Sequence, residues 1–439
     1  MSEIERTEIE IPEISRVEGH SAVTVDVENG KVVDVKLEVF EGTRFFERIV
    51  LGHKYDEMPH ITSRICAICS TGHVLAAIKA VENIFQFSPS ETEKLFRELM
   101  HLGMIIESHA THICALALPD FVGAADLSDL AGKHENEFAI WTRLRDLGAS
   151  IQTVVGGRPF HPVNLHAGGL SRYPSRKELR PLLVKLERGT EDAAHLITLL
   201  KSFNLPTETE LAPCFLALIP EGDSYGYFGK TIKASDGWQA PVEEYTTYLS
   251  ESSVEYSHSK RSLLGTKPFM VGSMARLFFF SEKLGKTAKD IFDKSPLAQK
   301  NKRVSSLWNN FAQAIEIVEA IERATVIIEI LLTSTIAGSE NTDFKNKLKA
   351  GRGVGAVECP RGTLYHSYTL DESGNITAAD MITPSAQNSA HIELDIRKAA
   401  ELELKKAPDH LRSTLETLVR AYDPCNTCAT HMVSVRQLK

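Results

Sequence analysis

Apolar and polar residues alternate from Ser21 to Val39, with Val23, Val25 and Val27 before Asn29-Gly30 and Val33, Val35 and Leu37 after it. A period of two on both sides of Asn-Gly predicts a β-hairpin closed by a primed turn. Farther on the period lengthens. Ser88-Pro89-Ser90-Glu91 offers an N-cap, a proline at the first helical position and a capping-box carboxylate, and Leu95, Leu99, Leu102, Ile106, His109 and Ile113 follow in steps of three and four. Ser175-Arg176-Lys177-Glu178 opens a second helix toward Leu200, and Leu307, Phe311, Ala314, Val318, Ile321, Thr325 and Ile328 mark a third. Between Pro213 and Tyr256, the glycine- and aromatic-rich GDSYGYFGKTIKASDG reads as strands and turns, and Ile376 to Ile382 as another short strand. No repeat, low-complexity run or linker divides the chain. The expected architecture is α+β and predominantly α. It is a long-helix bundle in a single domain over 1–439, with an N-terminal β region over about 1–60 and a peripheral β lobe over about 213–256.

Composition narrows the function. Hydrophobic residues at 43% and charged ones at 24% support a large core and exclude disordered, collagenous and membrane classes. Lys+Arg at 49 against Asp+Glu at 58 leaves a net charge of −9, which argues against nucleic acid or anionic lipid as a partner. The opening MSEIERTEIEIPEISRVEGH has no basic segment ahead of an apolar run, so a cytoplasmic location is expected. The most apolar late stretch, Ala324 to Gly338, is short and carries Glu329, below the ~20 apolar residues a spanning helix needs.

Of seven cysteines, four form two C-x-x-C pairs, Cys66 and Cys69 in RICAICSTGH and Cys425 and Cys428 in DPCNTCATH. One closed all-cysteine zinc site is the plain reading, but zinc modules draw their pairs from nearby segments, and 359 positions separate Cys66 from Cys425. A thioredoxin-like pair would need a βαβ context and leaves the second pair unexplained. Four thiolates from opposite ends of one chain make a soft site for nickel, copper(I), zinc or iron. The helix-forming run after Cys69 would place its N-terminal dipole near the sulfurs. The remaining Cys114, Cys214 and Cys359 cannot supply the four thiolates of an ordinary iron–sulfur cluster, so electrons would leave through another chain.

With these motifs the sequence resembles the large subunit of nickel–iron hydrogenases almost end to end: RVEGH at 16–20, FFE at 45–47, RICAICSTGH, SHATHICALALPDF at 108–121, ECPRG at 358–362, and DPCNTCATH. Finer similarity in GDSYGYFGKTIKASDG, VEYSHSKRS, FMVGSMARL and VRAYDPC points to the cytosolic bidirectional, NADP-linked subgroup that includes the sulfhydrogenases. The resemblance implies nickel held by all four thiolates, with Cys69 and Cys428 bridging to an iron that carries carbon monoxide and cyanide. Heterolytic cleavage of dihydrogen needs a metal to take hydride and a base to take the proton, and the terminal thiolate of Cys425 would be that base.

Further roles follow from the resemblance, each beside a plainer account. Glu18 would pass protons from the thiolate, or be a surface carboxylate before a strand. Arg361 would stand over the open metal position with Asp120 near it, or the two would form an ordinary structural ion pair. Pro384 and Ser385 would line the cyanide pocket, or be a turn; His73 would bond a bridging sulfur, or be a satisfied core histidine. A second, harder site for magnesium or iron(II) would use Glu47, nineteen positions before Cys66, with the Met381 carbonyl and His431; Glu47 alone could be a solvated helix charge, and Glu41 competes with it. The tail MVSVRQLK at 432–439 matches the segment that the family's maturation protease removes after nickel is delivered by chaperones. Cys359, where the family often has alanine, adds a thiol near the site. Implied partners are an iron–sulfur small subunit together with flavin- and NAD(P)-binding diaphorase subunits, which would hold the clusters, flavin and NADP. Rival functions are a deazaflavin- or heterodisulfide-linked hydrogenase and a non-catalytic coupling subunit derived from one, whose members lack the four cysteines.

Overall fold

The computed structural model describes residues 6–206, 213–299, 304–336 and 344–430. The hairpin joins Ser21–Glu28 to Lys31–Val39, and Asn29 and Gly30 both take positive φ, 50° and 72°, as a type I′ turn requires. A third strand, Arg6–Ile11, was not expected: it pairs antiparallel to the first with Ile9 opposite Val25 and Ile11 opposite Val23. The sheet's buried face rests on the helix Pro384–Glu403, where the Leu37 N–H donates to Glu393 at 3.1 Å.

The first long helix is Glu91–Ala110, capped by Ser90 and Glu93 rather than by Ser88 and Glu91. Both pairs have the box spacing, but Glu93 is also held by the Tyr173 hydroxyl at 2.8 Å while Glu91 stays exposed, so the tertiary contact selects the later start. The Ser175–Glu178 box opens Arg176–Ser202 as expected, and the third periodic run is the helix Asn309–Thr333. Helix Glu91–Ala110 crosses Glu135–Gly156 at Gly103 and Gly148; a Cβ on Gly148 would lie 2.4 Å from the Gly103 carbonyl oxygen, so only glycine admits this approach.

Strands Gly351–Cys359, Gly362–Leu370 and Ile376–Ile382 form an antiparallel sheet at the centre of the molecule. Helix Ser70–Phe85 lies flush on it because Gly353 and Gly355 leave room: a Cβ there would meet the Ala80 and Ala76 carbonyl oxygens at 2.1 and 2.2 Å. Leu216–Ile219, Thr231–Ala234 and Gln239–Pro241 make a further sheet, and Leu216, Leu218 and Ile232 share a core with Val354, Ala356 and Tyr365. An early and a late segment of the chain meet where Glu18 bridges to Cys425 and its carbonyl accepts the Asn426 N–H at 2.9 Å. No helix among the described residues is long and apolar enough to cross a membrane.

Candidate metal centre

Cys66 leaves the short turn Ser63–Ile65 in extended conformation, and Cys69 caps the helix Ser70–Phe85, so that helix's N-terminus faces the sulfurs. Cys425 follows Asp423, whose φ of 55° turns the chain sharply, and caps the short helix Asn426–Ala429. Arg44 ties the two loops together: its guanidinium donates to the Arg64 carbonyl at 3.2 Å, to the Thr427 carbonyl at 2.9 Å, and to the Ile65 carbonyl. This clamp carries no motif signature and was not anticipated.

The four sulfurs lie within 4.8 Å of one another and all are buried. Cys66 Sγ is 3.5 Å from Cys425 Sγ, Cys69 Sγ 3.4 Å from Cys428 Sγ, and Cys425 Sγ 2.7 Å from Cys428 Sγ. Hydrogen bonds from Cys425, Cys428 and Cys69 pull the Cys66 thiol well down, while burial pushes Cys425 and Cys428 well up. Four thiolates this close in a dry pocket cannot all ionise unaided; a soft cation would release the remaining protons.

Beside the sulfurs is a cavity of about 10 Å³, lined by Cys69, Cys425 and Cys428 with His73, Cys359, Pro360, Arg361, Leu364, Pro384 and Ser385. Arg361 donates from Nε to the Asp423 carbonyl at 2.6 Å and from Nη2 to Asp423 Oδ1 at 2.7 Å, but its buried Nη1 has no partner among the described residues. Burial works against this charge, and Asp423 and the thiols keep it firmly protonated. The Ser385 hydroxyl accepts the Cys425 N–H at 2.8 Å, leaving its own proton to donate. Four soft donors, an unspent guanidinium N–H and a hydroxyl around one small space fit a sulfur-bound metal whose other ligands accept hydrogen bonds.

Glu18 Oε2 accepts from the Cys425 thiol and from the Thr427 N–H, each at 3.1 Å, and the Thr427 hydroxyl donates to Oε1. Burial, then the nearby Cys66, raises this carboxyl above its ordinary value. His73 Nε2 lies 4.0 Å from Cys428 Sγ. Asp120 differs from expectation. Arg420 grips it with two bonds of 2.7 and 3.0 Å and Arg16 adds a third, so it is not the partner of Arg361 and does not line the cavity. Asp423, inside the DPC motif, takes that place; the aspartate before the proline was the available signal.

Glu47 and the Met381 carbonyl do converge, on an ammonium. Lys260 Nζ lies 2.7 Å from Glu47 Oε1, 2.8 Å from Glu251 Oε2 and 3.4 Å from the Met381 oxygen, while Glu47 Oε1 also accepts the Met381 N–H at 2.9 Å. The donors suit a hard cation in kind, and Lys260 supplies one. Glu41 is elsewhere, with Oε1 3.7 Å from His20. His431 and the tail 432–439 lie outside the described residues.

Comparison with known proteins agrees with this geometry. A family model described as "Nickel-dependent hydrogenase" matches residues 44–143 and 217–431, and a "HoxL-like" model matches 8–41. The chain is 36% identical over 428 residues to the alpha subunit of sulfhydrogenase 1 of Pyrococcus furiosus, covering 97% of this chain and 98% of the relative. It is 34% identical over 427 residues to a subunit of the F420-non-reducing hydrogenase vhu of Methanococcus voltae, covering 90% and 99%. Among solved structures, an NAD+-reducing [NiFe]-hydrogenase in the H2-reduced state superposes with a TM-score of 0.86 at 26% identity, covering 97% of this chain and 99% of the other. The four-sulfur centre and these likenesses lead to one conclusion: the chain belongs to the nickel-dependent hydrogenases, as a large subunit of the nickel–iron type, the part of the enzyme that cleaves and forms dihydrogen.

Proposed function

We propose that this subunit catalyses H2 ⇌ 2H+ + 2e− in the cytoplasm and passes electrons through an iron–sulfur small subunit to flavin- and pyridine-nucleotide-binding partners, with NADP(H) or sulfur as the terminal couple. The convergence of four thiols from both ends of the chain within 4.8 Å carries the reading; the sulfhydrogenase and NAD+-reducing likenesses support the acceptor.

Cys66, Cys69, Cys425 and Cys428 would hold a nickel–iron pair. Bound there with carbon monoxide and cyanide on the iron, the pair supplies the electrophile and redox couple for splitting H–H. The protein's part is proton handling and electrostatics. Cys425 Sγ, in contact with Glu18, takes the proton as the bond divides heterolytically, and Glu18 carries it outward, steadied by Thr427. Arg361 holds a fixed positive charge over the cavity where charge develops. Ser385 and Pro384, which line the cavity, would face the cyanide ligands, with the serine hydroxyl placed to donate. Glu47, the Met381 carbonyl and His431 would be the residues to hold magnesium or iron(II), which would supply a fixed charge tying down the C-terminal segment once chaperones have delivered nickel and 432–439 has been removed.

Infrared spectroscopy of the matured complex tests this. Carbonyl and cyanide bands are expected, with one nickel per chain and hydrogen-dependent reduction of NADP+. Nickel-replete complex without such bands would overturn the reading, and reduction of a deazaflavin instead of NADP+ would move the acceptor to the rival class.

A further inference from the structure

From Cys428 a row of polar contacts runs away from the metal position through three buried side chains. His73 Nε2 is 4.0 Å from Cys428 Sγ, His73 Nδ1 is 3.0 Å from His366 Nε2, and His366 Nδ1 is 2.7 Å from the Tyr368 hydroxyl. All three are almost completely buried. Their meeting is built into the fold. His366 and Tyr368 are alternate residues of the strand Gly362–Leu370, and the helix carrying His73 lies against that sheet because Gly353 and Gly355 admit its backbone.

Two neutral imidazoles in series can be protonated in two directions only. Each ring has one N–H and each contact needs one donor, so settling one end settles every proton in the row. In one direction the Tyr368 O–H donates to His366 Nδ1, His366 Nε2–H donates to His73 Nδ1, and His73 Nε2–H points at Cys428. In the other, every donor reverses and a cysteine S–H must point at a bare His73 nitrogen. A metal-bound cysteine is a thiolate with no proton to give, so a loaded site accepts the first direction alone.

We propose that His366 is a positioning residue for the metal centre: its Nε2–H holds His73 in the tautomer that donates to the Cys428 sulfur, and Tyr368 in turn fixes His366. The rings stay neutral throughout, and only the placement of their protons matters. An N–H aimed at a bridging thiolate withdraws density from the sulfur and hence from the metals, which tunes their electronics without a direct ligand. Without His366, His73 Nδ1 loses this donor in a dry interior, and the ring can turn its N–H away from Cys428.

The inference rests on the nickel–iron reading above, and infrared spectroscopy of the matured complex separates the two. In His366→Leu, sulfur donation rises, so the carbonyl band is expected at lower wavenumber than in the unsubstituted complex at equal nickel content. His366→Gln restores a donor toward His73 and an acceptor toward Tyr368, and its band should return toward the original position. Should His366→Leu give no matured complex, Tyr368→Phe, which keeps the ring volume, should shift the band the same way by less. Coincident bands in Leu and unsubstituted complexes, a Gln band as displaced as the Leu band, or an unshifted Phe band would each overturn the proposal. Absence of every carbonyl and cyanide band from the unsubstituted complex would instead remove the nickel–iron reading and this one with it.

Discussion

Two buried arginines meet at the Cys359–Pro360 segment, and they are satisfied to different degrees. Arg276, on the helix Ser273–Phe280, donates from Nε to Glu316 at 2.6 Å and from Nη1 to Glu358 and the Cys359 carbonyl at 2.9 Å each; Nη2 reaches Glu316 at 2.7 Å and the Pro360 carbonyl at 3.1 Å. Its carboxylates take further donors, His109 Nε2–H at 2.8 Å and the Ser273 and Tyr225 hydroxyls for Glu316, and the Leu218 N–H at 2.7 Å for Glu358. Burial pushes the Glu316 carboxyl up, yet Arg276 and His109 hold it well below the usual carboxylate range. Arg361, two residues past Cys359, spends two of its nitrogens on Asp423 and leaves Nη1 without a partner among the described residues. A buried arginine with every nitrogen engaged is a structural device. One left open beside a cavity and four thiols is built for something that arrives later.

That contrast can be broken most forcefully at Arg276. Arg276→Met strands two carboxylates in the interior and is expected to cost about 3–5 kcal/mol, read as a large fall in apparent melting temperature of the metal-free chain or loss of soluble protein. Arg361→Lys keeps the charge and one contact to Asp423, so it should cost only about 1 kcal/mol in stability while lowering hydrogen-oxidation kcat/KM by about 10²-fold or more. Equal destabilisation by both substitutions would erase the distinction. Glu18→Gln sharpens the functional side: the amide still accepts from Thr427 but cannot carry a proton. Turnover should fall by about 10²-fold with nickel content and carbonyl bands unchanged; turnover within twofold of the parent complex would remove Glu18 from the proton path.

What the sequence made legible was what depends on short spacings. The Asn29-Gly30 hairpin, the Ser175–Glu178 cap and each C-x-x-C pair are local patterns with local physics, and the resemblance supplied the meeting of the two pairs. Partnerships across the chain were not legible. Nothing near Arg361 in sequence says that it bonds Asp423 and leaves Asp120 to Arg16 and Arg420, because a guanidinium's partner is chosen by which helices pack together. Arg44, Lys260 and His366 escaped notice for the same reason: Arg44 reaches Thr427 across 383 positions, Lys260 reaches Glu47 across 213 and His366 reaches His73 across 293. The strand Arg6–Ile11 was hidden because its acidic alternation leaves all but Ile9 and Ile11 exposed, a weak period-two signal until the hairpin supplies an edge.

A smaller effect separates the two kinds of buried carboxylate by pH. Glu107 is also buried, but among the described residues its side-chain partners are Gln152 Nε2–H at 2.6 Å and the half-exposed Arg145 at 3.8 Å, and burial pushes its carboxyl up to about 7 from 4.5. The folded chain therefore binds this proton more tightly than the unfolded one. The stability it contributes is fully present below about pH 4.5 and is lost as pH rises through about 7. Glu316, shifted the other way, has its contribution above its ordinary value and loses it only in acid. Gln152 is fixed in orientation because its Oε1 accepts from the Thr71 hydroxyl at 2.8 Å, so an amide at 107 must present its carbonyl oxygen and can do so without charge. Glu107→Gln should accordingly raise stability at pH 8 by about 1–3 kcal/mol and leave it unchanged near pH 4, since a tenfold change in proton affinity is worth about 1.4 kcal/mol. Melting curves at the two pH values check this, and a gain of equal size at both would mean that packing, not the buried charge, sets the cost at this position.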